Sequence, residues 1–499
     1  MHYNIKSILK SHGFDTELPY HNIYIKLFKA LKSAIVSGKL NDRDKLPPSR
    51  LMAKDLSIAR STVLKAYDKL IGDGFAISTP GSGIYVAYNK MIGVNQNSTL
   101  KSIGVNKKSH LSKMGLKLEK KLKTTSPQEG KGVAFRPGLP PLDLFPILKW
   151  QTLSNNYWKK VKSSELSYSN VRGLRSLRKN IAVYLKIYRN IDCSPDQIVI
   201  TSGSLHSLYL ISTALIDHGD QVVIENPTYP DALKVIETLR AKIFHAPIDD
   251  EGIDLETFRH KKPKMVYTTP SNQYPLGIKM SMDRRMELRD WAQKKPSIII
   301  EDDYDHEFSN WESPLPSIFS MDNNGRVVYL GTFNKLLYPS LRLGYMIVPD
   351  FLLNSVLGLL QYSTRFISPH IQNTLNAFIE KDYLNDHLRN LMHVVKRRHG
   401  IFTNYFDNHF DPCIRLEKKP SGLHVIGKLD KKINDKNLSD YLFNNGLLAH
   451  PLSEYYKKSK QANGLVMGYC SVNEITMNKK LNEMAQLVRN YKNNLPQNH

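Results

Sequence analysis

The chain has 499 residues, 41% of them hydrophobic, and this length predicts two or three domains with large buried cores. Its net charge of +24 favours a polyanionic partner, although a generally lysine-rich proteome would also raise the charge. The three cysteines, Cys193, Cys413 and Cys470, are far apart, which argues against a disulfide framework or a zinc site. No apolar signal core and no run of membrane-spanning length occur, so we expect a soluble, cytoplasmic protein with no membrane partner.

Residues 18–88 have the pattern of three helices followed by a β-hairpin. Apolar residues recur at helical spacing in the first helix, and Leu46-Pro47-Pro48-Ser49-Arg50 opens the second, with Ser49 as the expected cap. The turn Gly81-Ser82-Gly83 joins the two strands. This order is typical of a winged helix-turn-helix. The predicted elements are helices over 23–35, from 49, and over 58–71, and strands over 75–78 and 84–87.

Polar and basic side chains lie near the expected starts of the second and third helices. There they can reach phosphates, and side chains of the third helix can enter the major groove. The glycines of the turn let the backbone approach a phosphate. Taken singly, each residue is equally consistent with a solvated surface or a protein-binding domain. The candidate DNA-binding residues are Arg50, Arg60, Ser61, Thr62, Lys65, Gly81 and Gly83.

Taken together, four short motifs in order resemble the GntR family of bacterial repressors and activators. They are Ser37-Gly38-Lys39-Leu40, the proline motif above, Ala59-Arg60-Ser61-Thr62-Val63 and Pro80-Gly81-Ser82-Gly83. The resemblance implies that residues 18–88 are a winged helix that binds double-stranded promoter or operator DNA.

A basic, polar segment follows the predicted hairpin. Residues 89–131 carry a net charge of +8, against +6 for residues 1–88 and +10 for the last 368 residues. We interpret this segment as a flexible linker, with a transient helix around 111–122.

From residue 132 to 499, strand-like runs alternate with helical patterns. Alternation over this length predicts an α/β domain with a mainly parallel sheet and helices on both faces. From about residue 370 the pattern changes to helices followed by an α/β tail. The predicted strands are 197–202, 221–225, 265–269, 298–302, 327–331 and 344–348.

Two of these strands end in reactive groups: one in Glu301-Asp302-Asp303-Tyr304, the other shortly before Lys335. A lysine that forms a Schiff base and a carboxylate that keeps a ring nitrogen protonated are the groups that pyridoxal 5′-phosphate requires. Asp302 and Asp303 are also consistent with a helix cap or a metal pair, although we expect no metal. The candidate cofactor residues are Lys335 (Schiff base), Asp302 (ring nitrogen), Tyr304 and Asn272 (ring 3′-oxygen), Tyr229 (ring stacking), and Ser202, Gly203, Ser204, Thr332 and Arg342 (phosphate).

In this order the motifs resemble fold-type I aminotransferases, and with the winged helix in front they resemble the MocR subfamily of GntR regulators. The resemblance implies a large part over about 165–370 and a small C-terminal part over about 371–499. It also implies a homodimer with exchanged DNA-binding domains, in which Tyr168 reaches the phosphate bound by the neighbouring subunit.

Four positions depart from the family pattern: Leu205, Asn272 and Asn334 near the cofactor, and Val466. Aminotransferases that bind an α-carboxylate usually have Arg where Val466 precedes Gly468-Tyr469. Arg365 or another cation is a candidate replacement.

Three functions are consistent with these patterns. The first is a transcriptional regulator that senses pyridoxal phosphate, alone or as an adduct with a small amine. The second is an active aminotransferase with an attached DNA-binding module, which Val466 disfavours. The third is a storage protein for the cofactor, which the intact winged helix disfavours.

Overall fold

The computed structural model describes residues 5–14, 22–87, 111–124, 134–309, 315–410, 412–417, 422–457 and 462–495. The chain forms two compact units, Met1–Glu119 and Lys120–His499. Most of the predicted linker lies outside the described residues. Within it, helix α5 (Lys113–Thr124) forms where a helix was predicted around 111–122.

The first unit has a three-helix core with a hairpin. Its core contains Leu27, Leu31, Met52, Val63 and Leu70, all buried. The short first helix adds buried apolar side chains to this core. The elements are α1 (Ile5–Ser11), α2 (Ile23–Val36), α3 (Ser49–Leu56), α4 (Arg60–Gly72), β1 (Ala76–Thr79) and β2 (Gly83–Val86), the strands antiparallel.

Each helix and strand predicted in residues 18–88 forms, but the expected cap of the second helix is wrong. Helix α3 begins at Ser49 itself and follows Pro48, with no side-chain cap. The Ser49 hydroxyl instead accepts a hydrogen bond from Nε of Arg60, at 3.2 Å. Proline fixes the backbone before the helix, which leaves the serine free to connect α3 with α4.

The second unit contains an eight-stranded sheet of order β3-β10-β9-β8-β7-β4-β5-β6. Its five neighbouring strands β9, β8, β7, β4 and β5 are parallel, whereas β10 is antiparallel to both β3 and β9. The mainly parallel sheet is therefore confirmed. The strands are β3 (Ile198–Thr201), β4 (Gln221–Asn226), β5 (Lys242–Asp249), β6 (Gly252–Ile253), β7 (Met265–Thr268), β8 (Ile298–Asp302), β9 (Val327–Thr332) and β10 (Gly344–Ile347).

Helices cover both faces of this sheet, because every residue of β8 is buried and successive side chains pack in different apolar clusters. Ile298 and Ile300 pack in one apolar cluster with Leu208 and Val356, whereas Ile299 packs in another with Leu288. Adjacent strand residues point to opposite faces, so each cluster belongs to one face. The helices before and around the sheet are α6 (Ile147–Lys160), α7 (Arg175–Arg189), α8 (Ser204–Leu215), α9 (Pro230–Thr238), α10 (Met282–Gln293), α11 (His306–Ser309), α12 (Asp350–Tyr362) and α13 (Pro369–Glu380).

The C-terminal part has a small antiparallel sheet of order β11-β12-β14-β13. Its elements are α14 (Tyr383–His409), β11 (Ile414–Leu416), β12 (His424–Leu429), α15 (Asp435–Asn444), β13 (His450–Pro451), β14 (Gly464–Gly468) and α16 (Glu474–Asn493). None of the helices in the described ranges is long and apolar enough to cross a membrane.

Candidate functional site

The carboxyl ends of several strands meet at one edge of the large sheet. Asp302, the last residue of β8, pairs with Leu330 of the parallel strand β9. Gly344, the first residue of β10, pairs with both Thr201 and Thr332, so the ends of β3 and β9 flank the start of β10. The topology therefore brings the segments that carry the predicted site residues to a common edge.

The Lys335 side chain lies across this edge and is partly buried. Its Nζ donates a hydrogen bond to the carbonyl of Gly138, at 2.6 Å. Gly138 has φ +69°, and a Cβ there would lie 2.8 Å from Nζ, so this approach requires glycine. Burial lowers the pKa of Lys335, although Asp305 and Asp302 oppose the shift. A lowered pKa increases the fraction of neutral amine, the form that attacks a carbonyl.

Asp302 has one satisfied and one unsatisfied carboxylate oxygen. Oδ2 accepts a hydrogen bond from the Tyr267 hydroxyl at 2.8 Å. Oδ1 is buried and has no hydrogen-bond partner among the described residues. Burial raises the pKa of Asp302 to about 7, and the charge of Asp303 adds to the increase. A buried acceptor without a donor fits the protonated ring nitrogen of pyridoxal phosphate.

Asp303, the next residue, is paired with a buried arginine. Nη2 of Arg189 lies 2.7 Å from Oδ2 of Asp303, and both side chains are almost completely inaccessible to solvent. The Tyr329 hydroxyl donates to the same carboxylate at 2.6 Å, and Arg189 also donates to the Ser271 hydroxyl at 3.0 Å. This network holds Asp303 in place and so fixes the backbone next to Asp302.

Tyr304 and Asn272 form a polar group beside Asp305. The Tyr304 hydroxyl donates to the carbonyl of Asn272 at 3.1 Å. Nδ2 of Asn272 donates to Oδ2 of Asp305 at 2.8 Å. Burial raises the pKa of Asp305 well above its ordinary value. The structure therefore joins the two residues predicted for the ring 3′-oxygen, and links them to a third residue, Asp305, that was not predicted.

Tyr229 belongs to an aromatic wall centred on Tyr274. The Tyr274 ring lies 5.6 Å from that of Tyr229, 5.9 Å from Tyr304, 5.5 Å from Tyr455 and 5.0 Å from His424, measured between centroids. Burial lowers the pKa of His424 to about 4, and its Nε2 lies 2.8 Å from the Pro275 carbonyl. His424 is therefore a neutral member of the wall at physiological pH.

The predicted phosphate turn lies at the start of α8. Gly203 has φ +94°, and a Cβ there would lie 3.1 Å from Nδ2 of Asn334 and 3.7 Å from Nη1 of Arg342. The Arg342 side chain is exposed and makes no ion pair with the described residues. Ser202 and Ser204 flank Gly203, and the first turn of α8 presents backbone N–H groups there. The arrangement is suited to a phosphate.

Two predicted residues have other surroundings. The Thr332 hydroxyl is engaged by its own loop, accepting from the N–H of Asn334 at 3.2 Å. Tyr168 is 78% exposed, and the Arg365 guanidinium lies over its ring at 4.7 Å. The Phe366 ring lies 6.4 Å from that of Tyr168, measured between centroids.

Val466 is completely buried in β14, where it pairs with Ile426 and His450. It packs in an apolar cluster with Leu452 and Tyr455. The position that usually carries a carboxylate-binding arginine is thus part of a hydrophobic core.

The predicted DNA-binding residues lie on the surface of the first unit. Arg60, Ser61 and Lys65 are exposed on α4, whose opposite face buries Val63 and Tyr67. Arg50 is exposed on α3, Thr62 is partly buried, and Gly81 and Gly83 lie in the exposed hairpin turn. Lys45, not predicted, comes within 2.9 Å of where a Cβ of Gly83 would lie. Basic groups therefore line both a helix and the hairpin.

Two protein families match the chain. Residues 23–86 match the gntR family of bacterial regulatory proteins, and residues 149–466 match the class I and II aminotransferases. The Probable rhizopine catabolism regulatory protein MocR of Rhizobium meliloti is 30% identical over 470 residues, 94% of each chain. The chain belongs to the MocR subfamily of GntR regulators.

Other MocR-type regulators and solved aminotransferases agree with this assignment. The pyridoxine biosynthesis regulator PdxR of Corynebacterium glutamicum is 27% identical, covering 94% of this chain and 96% of that one. The crystal structure of Pyrococcus horikoshii kynurenine aminotransferase has a TM-score of 0.69 and 26% identity, covering 78% of this MocR-type chain and 99% of that protein. The fold-type I aminotransferase domain predicted from sequence is confirmed.

Several residues of this MocR-type site were missed because nothing local marks them. Gly138, Tyr267 and Asp305 contact the predicted residues from separate segments. Arg189 is the last residue of α7 and follows an ordinary amphipathic pattern. Asp305 alone had a signal, since it continues the acidic run that begins at Glu301.

Asp302→Asn is expected to stabilise the cofactor-free protein at pH 8 and not at pH 4. The folded pKa of about 7 lies above the ordinary 3.8, so wild-type stability falls as pH rises between these values. The asparagine side chain cannot ionise, so the variant does not lose this stability as pH rises. Thermal denaturation of both proteins at several pH values measures the difference. Asp217→Asn, on the surface, is the control. A gain equal at both pH values would contradict the buried-charge explanation.

Proposed function

We propose that the protein is a DNA-binding regulator that takes pyridoxal phosphate as effector, attached to Lys335 as a Schiff base. The observation that carries this proposal is the buried, unpartnered Oδ1 of Asp302 at the sheet edge shared with Lys335. A carboxylate oxygen left without a donor is costly unless a ligand supplies one. The similarity to PdxR and to MocR supports a regulatory role.

When bound, the cofactor would supply an aldehyde for amines and a ring that withdraws electrons. Asp302 would hold the proton on the ring nitrogen, and Tyr229 would lie against the ring. Asn272 and Tyr304 would donate to the 3′-oxygen. Ser202, Gly203, Ser204, Thr332 and Arg342 would bind the phosphate through N–H groups, hydroxyls and a cation.

We further propose a cytoplasmic homodimer with exchanged DNA-binding domains, in which residues 89–131 are a flexible basic linker. The exposure of the Tyr168 ring supports the dimer, because an aromatic ring 78% exposed in one chain is available to a second copy. Cytoplasmic location follows from the promoter DNA that the GntR domain implies.

A gel shift of the full-length protein on the DNA upstream of its own and neighbouring genes tests the regulator. The affinity for DNA is expected to change when pyridoxal phosphate is added, because the cofactor favours one of two arrangements of the protein. Equal affinity with and without the cofactor, in a sample that demonstrably binds it, would refute the sensor.

An active aminotransferase is the second candidate, supported by the 26% identity to the kynurenine enzyme. A coupled assay with amino-acid donors distinguishes it. We expect at most weak turnover, because Val466 provides no cation for an α-carboxylate.

Arg60→Ala is expected to weaken promoter binding by about tenfold or more, the ~1–3 kcal/mol typical of a specific arginine contact. Cofactor absorbance should be unchanged. Lys69→Ala, in the last turn of the same helix, is the matched control. Equal effects of the two changes would show that α4 does not approach DNA by its N-terminus.

A further inference from the structure

The charges around Lys335 are unusual for a site that takes amino acids. Two buried carboxylates, Asp302 and Asp305, both act on its ammonium group. If a cofactor ring nitrogen paired with Asp302, Asp305 would keep its hydrogen bond from Nδ2 of Asn272. A ligand carboxylate placed here would be a third acidic group in a buried site, and a buried carboxylate without a cation beside it is strongly unfavourable.

The buried arginines near this edge are already occupied. Arg189 is paired with Asp303 at 2.7 Å. Arg285 lies 3.9 Å from Glu301 and donates to the carbonyls of Met280, Pro316 and Pro270. Moving either toward a ligand would strand a buried carboxylate, at a cost of several kcal/mol. His424 is uncharged at neutral pH because burial lowers its pKa to about 4.

Beside these groups, the described residues around the site include an aromatic wall and an apolar cluster. Tyr274 touches both the aromatic wall and the apolar cluster that contains Val466, Ile426 and Leu452. Tyr229, Tyr274 and Tyr304 are each partly exposed residues. Tyrosine rings favour aromatic, alkyl or cationic groups over anions, because the ring face carries partial negative charge.

We infer that the pocket beside Lys335 selects a primary amine without a carboxylate, carrying an aromatic or alkyl group. This inference rests on the proposed function and names the chemical class of its effector. Amino acids with the same side chain are the disfavoured ligands, because the described residues beside Lys335 offer their carboxylate acidic and aromatic neighbours.

Stable, reduced adducts test this class without requiring any reaction. Full-length Lys335→Ala protein is titrated in a calorimeter with phosphopyridoxyl-tyramine and with phosphopyridoxyl-tyrosine, which differ only in the carboxylate. The tyramine adduct is expected to bind at least tenfold more tightly. Equal affinities, or tighter binding of the tyrosine adduct, would overturn the inference while leaving the cofactor site intact.

Failure of the proposed function gives a different result, since neither adduct would then bind and the inference would fall with it. Wild-type protein loaded with pyridoxal phosphate should change its absorbance at lower concentrations of tyramine than of tyrosine. Val466→Arg is expected to shift the preference toward the tyrosine adduct, and Val466→Leu, which changes packing alone, is not.

Arg136 is a candidate anion site that allows a further test. Its charge acts on His450, the cross-strand neighbour of Val466. Arg136→Gln is expected to leave the preference for the tyramine adduct unchanged. If the tyrosine adduct binds more tightly and Arg136→Gln removes that advantage, the inference is wrong and Arg136 is the anion site.

Discussion

Replacing Lys335 with alanine is expected to abolish the absorbance band near the visible–ultraviolet boundary that the full-length protein should show with pyridoxal phosphate. The Schiff base needs a primary amine, and the Nζ of Lys335 lies at the sheet edge beside Asp302 and Asp305. Absorbance spectra of both proteins, after removal of free cofactor, measure the effect. Promoter binding by the variant should no longer respond to the cofactor, although its unliganded affinity should be retained.

Lys186→Ala is the matched control, because Lys186 is an exposed lysine of the same domain, 3.2 Å from Asp192. It should keep the full band. Borohydride reduction followed by peptide mass spectrometry should place the label on Lys335 in the wild type. A label on another lysine, or a band that survives in Lys335→Ala, would disprove the assignment.

Arg189→Met is expected to destabilise the protein by about 3–5 kcal/mol, the typical cost of leaving one member of a buried ion pair uncompensated. Asp303, with its side chain inaccessible, would lose its partner at 2.7 Å and keep the Tyr329 hydroxyl as a donor, with Nδ1 of His306 at 3.7 Å. Denaturant unfolding of the cofactor-free protein measures the loss. Arg172→Met, whose partner Asp196 is half-exposed at 3.5 Å, should cost less than about 1 kcal/mol.

The same pair predicts an acid dependence with a definite sign. Burial raises the pKa of Asp303, but the nearby charges of Arg189 and His306 outweigh burial. The pKa in the folded protein is about 2, below the ordinary 3.8. The stabilisation is therefore present above about pH 4 and is lost as pH falls toward 2. Arg189→Met should flatten this part of the pH profile. A variant with wild-type stability and an unchanged profile would show that the pair contributes nothing to folding.

The three helices and two strands of residues 18–88 and six strands of the large sheet were predictable because their hydrophobic periods are regular, whereas α1, β5 and β6 were not predicted. The strand Ile298–Asp302 was predicted with its observed bounds, and Asp302 and Lys335 were recognisable because each follows a strongly apolar run. Ser49 was misassigned because a serine at a helix start resembles a cap until Pro48 is seen to occupy that position. Side-chain pairing cannot be read from a local pattern.

The distant partners of the site illustrate this limit. Gly138 lies 197 residues before Lys335, and Arg189 lies on a helix more than a hundred residues before Asp303. Their proximity depends on how the sheet is assembled, which no short segment encodes. The Tyr267 hydroxyl is another case, since in sequence Tyr267 is simply one apolar residue of a buried strand.

The hydrogen bond from Lys335 to the Gly138 carbonyl joins the candidate Schiff-base lysine to a distant segment of the chain. Gly138 lies seven residues after residue 131, the end of the predicted linker. The bond therefore connects the Lys335 amine with a segment close in sequence to that linker. A free ammonium group has three hydrogens to donate, whereas the nitrogen of a Schiff base has one when protonated and none when neutral. A Schiff base at Lys335 would therefore change its hydrogen bond to Gly138, a residue close in sequence to the segment predicted as the linker.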